Sequence, residues 1–148
     1  MRSKGFSWLI VCAFAASEAV AAPGVEVSTD RLTYDGGDIT VVVTNRTRSA
    51  LFLPSCGAVV LERFDGERYE PLPPPPCEGE REAVRLKAGE SRSFSLRPPA
   101  EGRQLVRPVV TYGAGCRAGA PLPQAECRDF GDARGRYVSW APEPEPEP

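Results

Sequence analysis

Histidine is absent from all 148 residues. That removes the usual general base near neutral pH, every Ser-His-Asp or Cys-His arrangement, and the commonest transition-metal ligand. There is no Cys-x-x-Cys pair to suggest a zinc site, and no phosphate loop or dinucleotide fingerprint. Beyond the N-terminal leader no long helical period appears, so no long helix N-terminus is on offer to an anion. Lysine is nearly missing too, with Lys87 the only one after Lys4. These gaps point away from an enzyme and away from any cofactor.

Charge says little about partners. Setting aside Arg2, Lys4 and Glu18 leaves 16 basic and 19 acidic residues, a net of −3. Three of those acids are Glu143, Glu145 and Glu147, so the remainder is near neutral, and no nucleic-acid partner is expected. Proline, at 16, and glycine, at 14, are plentiful and favour short elements joined by turns.

The first 21 residues read as a secretory signal peptide. Arg2 and Lys4 form its basic end, Phe6 to Ala16 its apolar stretch, and Ala19-Val20-Ala21 a small-x-small cleavage site. The apolar run falls short of the roughly 20 residues that a spanning helix needs. No transmembrane segment is therefore expected after cleavage, and the protein is expected outside the cytoplasm, periplasmic or secreted. Cys12 goes with the leader. Cys56, Cys77, Cys116 and Cys127 remain, an even number that implies disulfides with three possible connectivities. The short-range pairing Cys56–Cys77 with Cys116–Cys127 is expected, because each pair brackets one loop-rich segment.

The mature chain is organised around Ile39 to Asn45, its most β-prone run. Ile39, Val41 and Val43 fall on one face, Thr40, Val42 and Thr44 on the other, as in a central strand of a two-layer sandwich. Val25 to Thr29 reads as an edge strand, and Asp35-Gly36-Gly37-Asp38 as a tight turn. Ala50 to Leu53 and Val59 to Phe64 follow. Asp65-Gly66 then turns the chain into a return strand at Glu67 to Glu70. Pro71 to Pro76 contains five prolines and reads as an extended loop outside any ladder. Ala83 to Leu86 and Ser91 to Arg97 are strands, the second with Phe94 and Leu96 inward and its serines outward. Gln104 to Tyr112 is another, with Pro108 marking an irregularity or an edge. Gly113 to Asp132 reads as a long braced loop, Arg136 to Trp140 as the closing strand, and residues 142–148 as a disordered or extended Glu-Pro tail.

Seven or eight short strands of this kind make an all-β chain, an immunoglobulin-like β-sandwich over residues 22–141 with long disulfide-braced loops. An eight-strand barrel is the main competitor. The wording of the chain resembles the immunoglobulin-like domains of bacterial extracytoplasmic proteins, many of them uncharacterised. The resemblance is carried by Tyr34-Asp35-Gly36-Gly37-Asp38-Ile39 running into Val43-Thr44-Asn45, by Leu61-Glu62-Arg63 and Gly66, and by Leu86-Lys87-Ala88-Gly89-Glu90-Ser91. Tyr69 stands where many relatives carry Trp, and Gly102-Arg103-Gln104-Leu105 replaces a Gly-x-Tyr-Arg opening. The resemblance implies how such a sandwich is built and leaves its ligand open.

Candidate site residues are few. Asp30, Asp35 and Asp38 crowd the first turn, as Glu126, Asp129 and Asp132 crowd the second braced loop, but neither set has the spacing of a calcium loop. Turn formation accounts for them. Asn45-Arg46-Thr47 is formally a glycosylation acceptor, and an Asn bonding its own turn explains it equally well. Tyr69, Tyr137 and Trp140 are aromatics that a binding surface or the core could use. Pro71–Cys77 and Gly113–Asp132 are the loops most suited to carry function. The expected role is an exported, non-enzymatic binding or structural module with an envelope or protein partner. A secreted protease inhibitor presenting the Pro71–Cys77 segment is the alternative. Carboxylate-only catalysis through residues such as Asp35 and Glu62 ranks last.

Overall fold

A computed structural model describes residues 24–79, 81–99, 105–117, 121–122 and 126–141. The leader, Gln104 and the Glu-Pro tail lie outside the described residues. Among the described residues the chain is all β, with no helix and eleven strands in open sheets.

The first sheet is small. Strands β1 (Val25–Thr29), β3 (Ile39–Asn45) and β8 (Ser91–Leu96) lie antiparallel in the order β1-β3-β8. Ile39, Val41 and Val43 are completely buried, each contributing about 1.5–3 kcal/mol by leaving water. The alternation in Ile39–Asn45 thus decides which face of the sheet becomes core. Phe94 and Leu96 turn inward while Ser91, Ser93 and Ser95 stay exposed.

The second sheet is built on the long strand β9 (Val106–Ala114). Along one side, β5 (Val59–Phe64) pairs with its first half and β4 (Leu51–Leu53) with its end. Outside these lie β6 (Tyr69–Pro71) on β5 and β7 (Val84–Leu86) on β4. Strand β10 (Asp129–Arg134) pairs along the other side of β9. The two sheets share one core, in which Val41 and Val43 pack with Leu53, Val59, Leu61, Leu86, Val106 and Val110, so the architecture is a two-layer β-sandwich. A short parallel pair closes the molecule, β2 (Thr33–Tyr34) with β11 (Ser139–Trp140).

Several expectations need correction. Strand β10 lies inside the stretch read as one loop from Gly113 to Asp132. Its sequence, Asp-Phe-Gly-Asp-Ala-Arg, is poor in β-formers, yet a neighbour requires it: a Cβ on Gly131 would lie 2.6 Å from the Tyr112 hydroxyl. The connection shrinks to the residues between Ala114 and Asp129. Pro108 is not on an edge strand, because β9 is paired on both sides. The Phe64 amide donates to the Leu105 carbonyl and the Gly135 amide to the Pro108 carbonyl, which fixes the alternation of the ladder. The missing donor of Pro108 therefore faces Gly135, just past the end of β10, and its ring fills the space where a Cβ on residue 135 would lie. Pro71 does join a ladder, opposite Glu62, with Leu72 donating to the Leu61 carbonyl beyond it. β6 is an edge strand and the nitrogen of Pro71 points outward, so nothing is lost.

Both expected disulfides are present, Cys56–Cys77 and Cys116–Cys127. Closing loops with sequence separations of 21 and 11 residues is worth about 3 kcal/mol each in the chain-entropy model. The second bridge also packs with Phe52 and Leu122 in a satellite core, lying directly over Gly113.

Candidate functional site

Two of the three singled-out aromatics meet. Past Gly135 the last part of the chain re-pairs with β9 at Val138, whose amide and carbonyl both bond Val106. Two residues, Arg136 and Tyr137, thus oppose the single residue Arg107, which is a β-bulge. The bulge turns Tyr137 over Tyr69, with ring centroids 5.6 Å apart and planes 14° from parallel. The Arg107 guanidinium lies 3.7 Å from the centre of the Tyr69 ring. Its Nε donates to Glu62 Oε2 at 2.8 Å, and its Nη1 to the Tyr137 hydroxyl at 3.3 Å. Phe64 flanks Tyr69 on the neighbouring strand at 4.9 Å.

The electrostatics follow from this packing. Burial works against the Arg107 charge, but the bond and charge of Glu62 outweigh it and hold the guanidinium pKa above its ordinary value. The hydrogen bond with Tyr137 pushes the Tyr69 hydroxyl up, and the same bond, helped by Arg107, holds Tyr137 below the usual tyrosine value. Arg107 is thus spent on Glu62 and the two rings, and Glu62 on Arg107 and, at 3.8 Å, on Arg134. The cluster clamps the tip of β6 to the bulge, and its chemistry is that of a brace. In the sequence Glu62 is a candidate only as a catalytic carboxylate and within the Leu61-Glu62-Arg63 motif, and Arg107 is not singled out. Their facing positions on β9 and β5 become readable only once the register Glu62↔Arg107 is known.

Trp140 lies apart from this pair. Its ring meets Tyr34 edge-on at 5.1 Å, on the parallel β2–β11 pair, and its indole nitrogen is buried with no hydrogen-bond partner among the described residues.

The proline-rich stretch forms the more open feature. Past Leu72 the chain runs beside β5 as Pro73, Pro74 and Pro75, none able to donate to it. Between these prolines, Val59–Leu61 and the end of β8 lies a groove of about 600 Å³ with a mostly apolar lining. Leu96 lines its other wall, and at the rim the Nε of Arg97 donates to Asp38 Oδ1 at 2.6 Å. That bond holds the Asp38 carboxyl below its ordinary value. The Cys56–Cys77 bridge anchors the far end of the proline wall.

The remaining candidates are absorbed by local structure. Asp30 accepts from the Thr40 amide at 2.8 Å and from Arg31, and Asp35 from the Gly37 amide at 3.3 Å. Among the described residues no three acidic or cysteine side chains form a group able to hold a metal. Glu126 pairs with Arg117, Asp129 with Arg128, and Asp132 accepts from Thr111. Asn45 is fully buried, and its amide nitrogen donates to the carbonyls of Ser49 (2.8 Å) and Leu86 (3.0 Å). Its oxygen accepts from the Thr47 amide and hydroxyl. Both amide protons are used internally, so the folded protein does not present this acceptor to a glycosylating enzyme.

Comparison with family models, with characterised proteins and with solved structures finds no match to the chain.

Proposed function

We propose that this chain is an exported, non-enzymatic immunoglobulin-like module that binds an extended protein segment in the groove between the proline wall and β8. The observation that carries the reading is the groove itself. It is apolar within, has an ion pair at its rim, and is held open by a stiff polyproline segment that is pinned by a disulfide. Such a site suits a peptide backbone laid lengthwise, with side chains dipping into it at alternate positions.

Three further features support the reading. Two disulfides are what oxidising compartments permit. A three-strand antiparallel sheet packed on a larger antiparallel sheet is a layout that immunoglobulin-like sandwiches share, and it supports the reading. Asp30, Asp38 and Asp65 are all held below the ordinary carboxyl value by hydrogen bonds, the opposite of what a general acid needs. The inhibitor alternative uses the same loop, but here Leu72 joins the β5 ladder and the prolines line a groove, which favours receiving a segment over presenting one.

The test is fluorescence anisotropy with labelled extended peptides that alternate proline or valine with polar residues. Binding that falls at least about tenfold (about 1.4 kcal/mol) in Pro75→Arg, where a charged chain enters the groove wall, supports the site. No binding by any peptide, or equal binding by the variant, overturns it.

A further inference from the structure

Strand β8 is the outer strand of its sheet, and among the described residues one of its edges is free. The alternation of the ladder shows which groups lie on that edge. The Asp30 amide bonds the Thr40 carbonyl, and the Asn45 amide bonds the Glu90 carbonyl. Ile39, Val41 and Val43 therefore turn their backbone groups to β8, where Leu96, Phe94 and Arg92 face them. The backbone N–H and C=O groups of Ser91, Ser93, Ser95 and Arg97 point away from the sheet. Among the described residues they have no backbone partner. An exposed row of this kind is a template for an added strand. It ends at Arg97, because Pro98 and Pro99 carry no N–H.

The two faces of this edge differ in chemistry. Leu96 lines the groove, with Leu72 and Pro73–Pro75 in the facing wall. Phe94 and then Arg92 continue the same face of the strand, each about 7 Å further along. The other face carries Ser91, Ser93, Ser95 and Arg97. Arg97 is answered by Asp38 at 2.6 Å. Arg92 is exposed, and its guanidinium has no ion pair or hydrogen bond among the described residues.

An added antiparallel strand sorts its own residues in the same way. Residues opposite Ser93, Ser95 and Arg97 exchange hydrogen bonds with them, and the side chains of such a pair stand on one face. Those residues join the polar face and need their N–H. Residues opposite Leu96, Phe94 and Arg92 turn their side chains to the groove face and their N–H groups away from β8. Proline is therefore admissible at these positions. An acid belongs opposite Arg92, the cation left unanswered. Read from its N-terminus, the segment meets Leu96 first, so its groove-facing residues run apolar, apolar, acidic. A second copy of β8 lacks that acid, since residues 91–97 carry two arginines and no carboxylate.

We propose that the ligand of the groove is an extended protein segment of the pattern apolar-x-apolar-x-acid, added to the free edge of β8 as an antiparallel strand. The inference rests on the groove being the binding site, and it states how that site reads a backbone and which sequence it selects. The direction follows from the sheet itself. Both of its existing pairings are antiparallel, and an antiparallel ladder is the more stable per residue.

The test uses the labelled peptide Thr-Val-Thr-Val-Thr-Glu-Thr and fluorescence anisotropy. In register its valines lie opposite Leu96 and Phe94 and its glutamate opposite Arg92. N-methylation of its third and fifth residues removes the donors aimed at Ser95 and Ser93, and is expected to weaken binding at least about tenfold. N-methylation of the two valines should change binding less than about threefold, because those donors face away. In a parallel ladder the valines would be the bonded residues, so loss on methylating them instead overturns the proposal. Equal binding by all three peptides also overturns it, since the ligand would then be held by side chains alone. The charge pair is read by exchange. Lysine in place of the glutamate should weaken binding at least about threefold, and Arg92→Glu should restore the lysine peptide. Binding indifferent to both changes overturns the acidic part of the pattern. If this peptide fails to bind while others bind and are lost in Pro75→Arg, only this inference falls. If no peptide binds at all, the groove reading falls with it.

Discussion

Replacing Asn45 should be among the most damaging single changes, and the structure allows its cost to be counted. In Asn45→Ala four hydrogen bonds disappear, but not every partner is stranded. The Thr47 hydroxyl has one proton within reach of both the Asn45 oxygen and the Ser49 carbonyl, so in the variant it turns wholly to Ser49, 2.8 Å away. The Leu86 carbonyl loses its side-chain donor in the core, and the Thr47 amide loses its acceptor. Two orphaned groups at about 1–3 kcal/mol each give a loss of roughly 3–4 kcal/mol. With a urea slope of about 2 kcal/mol/M the unfolding midpoint falls by about 1.5–2 M. Asn45→Asp separates the two halves of the amide. Its carboxylate still accepts from Thr47, but the other oxygen now faces two carbonyls. Burial and those carbonyls raise the folded-state pKa above the unfolded value, so protonation stabilises this variant as pH falls toward 5. Urea unfolding followed by circular dichroism at pH 8 and pH 5 reads both effects. A midpoint shift under about 0.3 M for the alanine, or an aspartate variant equally destabilised at both pH values, would refute this count of bonds.

Three other outcomes follow from the packing. Glu62→Gln leaves the Arg107 charge under the tyrosines without its counter-ion, at a cost of about 2 kcal/mol, and Glu62→Gln with Arg107→Met should recover at least half of it. A double-mutant cycle with no coupling contradicts the clamp. Gly131→Ala drives a methyl into the Tyr112 ring and should cost about 1–3 kcal/mol, whereas Gly131→Ala combined with Tyr112→Leu should cost less than the two changes summed. Additive losses in thermal melts would show that the ring is not the obstacle. Asp30, Asp38 and Asp65 lie below their ordinary value of 3.8, so what they contribute is complete above that pH and is lost as pH falls through the lower folded-state values. The urea midpoint should hold level from pH 7 to 5 and drop below pH 4. A steady decline across pH 7 to 5 would count against it.

What the sequence disclosed depended on how far apart the interacting groups lie along the chain. Ile39–Asn45 was legible because its face, turn and flanking polar loop are all local, and the same holds for the Asp65-Gly66 hairpin and the serine-out pattern of β8. Cysteine spacing was enough to pair the bridges. β10 was not legible, because its two aspartates and its glycine argue locally for a loop, and only the Tyr112 ring lying on Gly131 makes glycine the fitting residue. Pro108 reads as an irregularity or an edge; the edge half fails because its harmless placement depends on Gly135 across the ladder, while the bulge opposite Arg107 is an irregularity beside it. At the candidate site the prolines of the wall were visible as prolines, while the opposite wall comes from β8. Tyr69 and Tyr137 were named for their chemistry alone. Their stacking, and Arg107 between them and Glu62, arise from a bulge that no local pattern announces.

The parallel clasp of β2 and β11 sets an order of events during synthesis. Thr33 and Tyr34 emerge early, but the residues that they pair with are almost the last of the described chain to be made. The β1–β3 hairpin is free to form soon after its turn appears, whereas the Leu32 carbonyl waits for the Ser139 amide, 107 residues further on. Tyr34 and Val138 belong to the shared core, so the hydrophobic interior cannot be sealed before Val138 has been made.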